Sequence, residues 1–246
     1  EVSHRSPEYD QVHTRTQKLI KELLGVGDDY HVLFLGGGAS TQFAMVPMNF
    51  LGEGQSADYV VTGSWAKKAI KEAKILGKAD VAATTEEDGK FSRVPKPSEC
   101  QFSPEAAYAH ITTNNTIFGT QWHEFPSTEA PLVADMSSDI FWRPVDASRF
   151  DLIYAGAQKN LGPAGVTVVV IRDEMLQKCR DGVPTMFSYK THAEKNSLFN
   201  TPPCFPIYMV MRTLEWVQSE GGVEEMERRN RKKAELIYTT IDDNPD

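Results

Sequence analysis

Cysteine is scarce in this 246-residue chain: Cys100, Cys179 and Cys204 stand apart, with no Cys-x-x-Cys spacing. Three isolated thiols supply neither a disulfide framework nor a zinc site, and they read as reduced thiols in a cytoplasmic protein. Basic residues are the minority, 26 against 34 acidic, for a net charge of −8. A nucleic-acid surface would be basic, so no nucleic-acid partner is expected, while a local basic pocket for an anionic substrate remains open. No apolar run has the length of a membrane helix, and the segment beginning at Glu1 has no signal-peptide pattern, so no membrane partner is expected. The six histidines show no metal-ligand spacing, and no metal is expected. A Gly-x-Ser-x-Gly elbow and a Walker lysine are both missing.

What is present is an apolar content of 40%, enough to bury a substantial core. Ser6 followed by Pro7 predicts a helix start, Leu19, Ile20, Leu23 and Leu24 give that helix a buried face, and Gly25 ends it. Strands are predicted over 30–35, 57–61, 80–84, 108–112, 132–134, 152–155 and 166–171. Helices are predicted over 41–51, from a Ser64 cap to Leu76, along the face Ile207, Val210, Met211, Leu214 and Val217, and over 223–241. Strands alternating with helices imply an α/β fold, a mostly parallel sheet flanked by helices. Residues 92–103 and 182–206 read as long irregular stretches, the second as an interfacial arm. Residues 1–241 read as one large domain and 242–246, with Pro245, as the start of a linker.

The chemistry concentrates at strand ends. Lys159 follows an apolar strand and Gln158, and Asp135 closes another apolar run. Desolvating an ammonium is costly, so a lysine there calls for a reason. A lysine that forms a Schiff base with pyridoxal 5'-phosphate, and an aspartate that keeps the pyridine nitrogen protonated, fit the pair. A solvated strand-end lysine and a helix-capping aspartate fit it equally. Gly36, Gly37 and Gly38 turn from a strand into a helix, where backbone amides can hold a phosphate or simply make a tight turn. A dinucleotide fingerprint is excluded: Thr41 stands where its last glycine belongs, and the next strand ends in Thr62 and Gly63 with no ribose-binding acid. Trp65 fits a ring-stacking role or a core position, and Thr116 a ligand or a turn.

Val2-Ser-His-Arg-Ser6, Gly36-Gly-Gly-Ala-Ser-Thr-Gln-Phe43, Gly63-Ser-Trp65, Asn115-Thr116, Ala134-Asp-Met-Ser-Ser138, Ala157-Gln-Lys159 and Asn200-Thr-Pro-Pro203 occur in this order. Together they resemble the phosphoserine aminotransferase family, fold type I pyridoxal-phosphate enzymes of class V, over nearly the whole chain. The resemblance implies catalytic roles for Lys159 and Asp135 and cofactor contacts from Ala39, Ser40, Trp65, Thr116, Ser137 and Gln158. Asn200 and Thr201 would reach the cofactor phosphate of a neighbouring subunit, giving a homodimer with shared active sites. Arg5, beside His4, would bind the substrate's anionic group. Where this chain has Ala39, some members carry arginine, so one substrate-anion contact is expected to be missing. By the same resemblance, the family's small C-terminal domain, with its other substrate-binding histidine and arginines, is expected to be absent from these 246 residues. The implied reaction moves an amino group from glutamate to 3-phosphohydroxypyruvate, giving phosphoserine and 2-oxoglutarate; members also serve vitamin B6 synthesis. Alternatives are another class V enzyme, such as an alanine–glyoxylate aminotransferase, or a cofactor-holding module without turnover. A cysteine desulfurase is disfavoured, because no cysteine sits on a catalytic loop.

Overall fold

The computed structural model describes residues 2–244. Glu1, Pro245 and Asp246 lie outside the described residues, and with them the expectations placed on the chain's first residue and on the proline of the linker. Seven strands form the main sheet: β1 (Tyr30–Leu35), β2 (Ser56–Val61), β3 (Lys78–Thr84), β4 (Ala109–Thr112), β5 (Leu132–Asp135), β6 (Leu152–Gly156) and β7 (Thr167–Arg172). Their spatial order is β1-β7-β6-β5-β4-β2-β3. β7 is antiparallel to both β1 and β6, whereas β6, β5, β4, β2 and β3 pair in parallel. Six strands therefore point the same way, and their C-terminal ends share one edge.

Both faces of the sheet are covered, which explains the near-continuous apolar strands. Within β7, Val168 and Val170 join one core cluster, and Val169 and Ile171 join the other. The first cluster packs under α1 (Pro7–Leu24) and, later in the chain, α6 (Cys204–Ser219) and α7 (Gly222–Asp243). The second packs under α2 (Gly38–Phe50), α3 (Ser64–Leu76), the short α4 (Asp173–Gln177) and α5 (Tyr189–Glu194). The Ser6 hydroxyl caps α1 by accepting from the Tyr9 amide, and Gly25 ends it in the left-handed conformation at φ 67°. Along the open side of β1, the Gln17 amide donates to the Val32 carbonyl at 2.8 Å, and the Phe34 amide donates to Ser197 Oγ at 2.9 Å.

Several sequence expectations shift. The second helix begins at Gly38, three residues before Thr41, because the glycine turn feeds directly into it. Ser64 is the first helical residue of α3, and Gly63 occupies the cap position without a side-chain bond. Stretch 92–103 includes a short 3-10 turn at Pro97–Glu99. Stretch 182–206 is not all surface: Tyr189 is fully buried and its hydroxyl donates to Gln42 Oε1 at 2.7 Å. The reading of that stretch as irregular throughout is corrected by α5, a helix too short for its periodicity to stand out. α7 continues through Asp242 to Asp243, past the expected boundary at 241. Among the described residues no helix is long and apolar enough to cross a membrane.

Leu214 on α6 is completely buried in the first cluster. Leu214→Ala is expected to destabilise the fold by about 2–5 kcal/mol, the cost of lost burial plus a residual cavity. Urea denaturation followed by circular dichroism measures it, and a loss near zero would contradict the assigned packing.

Candidate active site

The C-terminal ends of four neighbouring parallel strands, and of β1 beyond the antiparallel β7, supply the chemically distinctive residues, as expected of a ligand crevice in an open α/β sheet. β1 leads into Gly36, Gly37 and Gly38, and β2 into Gly63 and Trp65. β4 leads toward Thr113 and Thr116, β5 ends on Asp135 before Ser137, and β6 leads into Gln158 and Lys159. The register fixes the middle of this edge: Asp135 lies between Thr112 of β4 and Tyr154 of β6.

Asp135 is 4% exposed. Burial raises its pKa, while hydrogen bonds from Ser137 and the nearby Lys159 cation oppose the rise. The Ser137 amide donates to Asp135 Oδ1 at 2.9 Å, and Ser137 Oγ in turn accepts from the Gly156 amide at 3.1 Å. Ser137 thus fastens the carboxylate to the end of β6. Lys159 is exposed, with its ammonium 5.3 Å from the Trp65 ring centroid. Trp65 Nε1 donates to Thr116 Oγ1 at 3.2 Å, and Lys68 covers the same indole at 4.3 Å. Lys159, Trp65, Thr116, Asp135, Ser137 and Gln158 are therefore gathered at one edge.

The glycine turn is constrained by close approach. Gly37 has φ 83°, and a Cβ there would lie 1.9 Å from Thr41 Oγ1. That hydroxyl donates to the Gly37 carbonyl at 3.0 Å. Ala39 and Ser40 occupy the first turn of α2, where amides lack intrahelical partners and the helix dipole favours an anion. Asn200 and Thr201 line a cavity of about 490 Å³ together with Gly36 and Gly37. Thr201 also lines a second cleft, of about 550 Å³, with His4 and Tyr9. Arg5 Nε donates to His4 Nε2 at 3.3 Å on the exposed N-terminal segment. Among the described residues no hydrogen bond joins His4 or Arg5 to the strand-end cluster.

The sequence reading gave no role to the supporting groups, although it quoted Asn115 within a motif. Asn115 sits directly behind Gly63, donates to Thr62 Oγ1 at 2.9 Å and accepts from the Ala66 amide at 3.4 Å. His110 Nε2 pairs with Tyr154 Oη at 2.8 Å beneath the site. Burial pushes the imidazole down to about 3, so it is neutral, and burial with the Asp135 charge pushes the Tyr154 phenol up. Asp139, one turn after Asp135, is buried beside Thr113. The one available signal was the spacing Asp135 to Asp139, which resembles any capped turn. Pairing across strands is invisible without the register.

Residues 1–246 match the class-V aminotransferase family. The phosphoserine aminotransferase of Halalkalibacterium halodurans is 56% identical over 244 residues, covering 99% of this chain and 67% of the relative. The solved phosphoserine aminotransferase from Bacillus circulans subsp. alkalophilus superposes with a TM-score of 0.95 at 53% identity, covering 98% of this chain and 67% of that one. A phosphoserine aminotransferase from Trichomonas vaginalis, solved with bound pyridoxal phosphate, gives a TM-score of 0.93 at 36% identity, covering all of this chain and 73% of that one. The chain spans about two thirds of the bacterial relatives' length.

A Cβ on Gly63 would fall 2.5 Å from the Asn115 side chain. Gly63→Ala is expected to cost about 1–3 kcal/mol through overpacking. Adding Asn115→Gly removes the obstructing side chain, and the double variant should lose less than the sum of the two single losses. Purely additive losses in urea denaturation would show that the contact does not limit position 63.

Proposed function

The chain belongs to the class-V aminotransferase family, and from that premise we propose that it is the cofactor-binding portion of a phosphoserine aminotransferase. The proposed reaction passes the amino group of L-glutamate to 3-phosphohydroxypyruvate, yielding 2-oxoglutarate and phosphoserine. The observation that carries this reading is the meeting of Lys159, Trp65 and a buried Asp135 at the C-terminal edge of a parallel sheet.

The residues fit pyridoxal phosphate. A carboxylate as buried as Asp135, receiving a hydrogen bond from the Ser137 amide, is offset by a cationic ring nitrogen brought against it. Ser40, Ser137 and Gln158, with the amides after the glycine turn, are the proposed phosphate ligands, and Ala39 lends its backbone. Trp65 offers a ring face and Thr116 a hydroxyl. When bound, the cofactor supplies the electron sink that makes the amino carbon of the substrate acidic. Lys159 Nζ takes the proton from that carbon and returns it to a different carbon, as base and then acid. Asp135 holds a proton at the ring nitrogen. Trp65 shields the reacting face from water.

Arg5 is the proposed fork for the substrate's anionic group, with His4 beside it. Asn200 and Thr201 are proposed to serve the cofactor phosphate of a second copy across a twofold axis. Phe199, Phe205 and Tyr208, exposed beside them at 45%, 69% and 41%, support an apolar contact there. Light scattering at micromolar concentration should return a dimer, and a monomer would contradict the shared site. Residues 1–241 are proposed as one cofactor-binding domain.

Borohydride reduction in the presence of pyridoxal phosphate should fix a phosphopyridoxyl group on Lys159. Trypsin then skips the modified lysine and releases residues 150–172 as one heavier peptide. An adduct on another lysine, or none at saturating cofactor, would remove the assignment. Asp135→Asn should retain the fold yet slow proton transfer by at least about 10²–10⁴-fold, the usual worth of such steps. Single-turnover absorbance measurements on an active, extended protein check this, and wild-type rates would refute the role.

A further inference from the structure

Two buried carboxyl-bearing residues meet at one threonine. Thr113 Oγ1 lies 3.0 Å from the Asp135 carbonyl oxygen and 2.5 Å from Asp139 Oδ1. A threonine hydroxyl has one proton to give, and a carbonyl oxygen has none. With Asp139 ionised, both neighbours are acceptors competing for that proton; the Asp135 carbonyl then keeps only its bond from the Thr113 backbone amide, at 3.0 Å, and the hydroxyl faces it lone pair against lone pair. With Asp139 protonated, its O–H donates to Thr113, and Thr113 donates to the Asp135 carbonyl. Every contact is then satisfied.

The surroundings favour the second arrangement. Asp139 is 8% exposed, and Gln121 Nε2 donates to its other oxygen at 3.2 Å. Burial is the largest influence and raises its pKa. The Asp135 charge at the end of β5 adds to the rise, while Thr113, Gln121 and Arg143 of the following turn oppose it. The outcome is a carboxyl pushed up to about 6 from 3.8.

The junction ties two loops together. Thr113 leads into the segment bearing Asn115 and Thr116, and Asp139 closes the turn bearing Asp135 and Ser137. Asn114 Nδ2 donates to Ser138 Oγ at 3.0 Å, and Ser138 Oγ donates back to the Asn114 carbonyl at 3.0 Å. We propose that Asp139 is a positioning residue whose carboxyl proton, relayed through Thr113, fastens the Asp135 turn to the loop carrying Thr116. Its importance for the cofactor rests on the reading of Asp135 given above; the fastening itself does not require the cofactor.

The sign of the pH effect follows. Between pH 3.8 and about 6 the folded protein holds a proton at Asp139 that the unfolded chain has released. Stability is therefore lost as pH rises through that window, by about a hundredfold in the folding constant, the ratio of the two acid dissociation constants. Asp139→Asn should escape the loss. Its amide N–H replaces the carboxyl O–H toward Thr113, and its carbonyl still accepts from Gln121.

Urea denaturation of cofactor-free wild type, Asp139→Asn and Asp139→Ala across this pH range tests the proposal. The Asn variant should match wild type at the acid end and gain on it with rising pH. The Ala variant should be weaker than Asn throughout. The affinity for added pyridoxal phosphate, compared between wild type and Asn, should diverge with the same midpoint. An Asn variant as unstable as Ala at neutral pH, with no pH-dependent difference from wild type, would overturn the idea. Should the variants fail to fold, infrared difference spectra of wild type decide instead. A protonated-carboxyl C=O band that fades with a midpoint near 6, and persists in Asp135→Asn, supports it. No such band on the acid side would overturn it. A failed adduct at Lys159 would leave the unfolding result standing, so the two readings fail separately.

Discussion

A carboxylate held out of water at the end of a central strand is the constraint on which the rest of this site depends. Asp135 has strands on both sides, its register partners are Thr112 and Tyr154, and it is almost completely covered. An isolated buried charge is expensive, so its neighbours must supply compensation. Part comes from the Ser137 amide and part from the Lys159 cation. The remaining deficit is an electrostatic demand that a cationic ring can meet. Ligand affinity and local strain are, on this view, one quantity seen from two sides.

Parallel pairing is what lets so few residues do this. With β7 as the single antiparallel member, six strands deliver their C-terminal ends to one edge. Residues far apart in sequence, such as Trp65 and Lys159, then meet, the ammonium 5.3 Å from the ring centroid. The site needs no dedicated long loop, because the strand ends already converge. The supporting layer, with Asn115 behind Gly63 and His110 against Tyr154, is equally a product of register.

The sheet and most helices were readable because apolar strands alternate with amphipathic helices, and because capping residues such as Ser6 and Gly25 mark their own positions. Lys159 and Asp135 were readable as strand-end anomalies, and the roles expected of them rested on that pairing and on resemblance to a family. What escaped was set by tertiary packing. Tyr189 lies in a stretch without periodicity yet is fully buried, because its hydroxyl finds Gln42 far away in sequence. Ser64 looked like a cap, but the tight fit of Gly63 against Asn115 takes that position. Asp139 carries no local mark beyond its spacing from Asp135, since its burial and its partners Thr113 and Gln121 are set by other segments.

The side-chain seal along β1 bears on how this protein fails. Gln17 and Ser197 occupy backbone groups that an intruding strand would have to pair with. Growth of the sheet into a fibril is thereby discouraged at that border, as it is by the charged Lys18, Lys21, Glu22 and Asp28 that line the cleft beside it. At the opposite border, β3, the Gln101 amide occupies the Ala82 carbonyl at 2.9 Å, while the adjoining Val81 is 48% exposed, with the charged Lys78 and Asp80 on the same strand. Neutralising those two charges would leave β3 as the border from which aggregation starts.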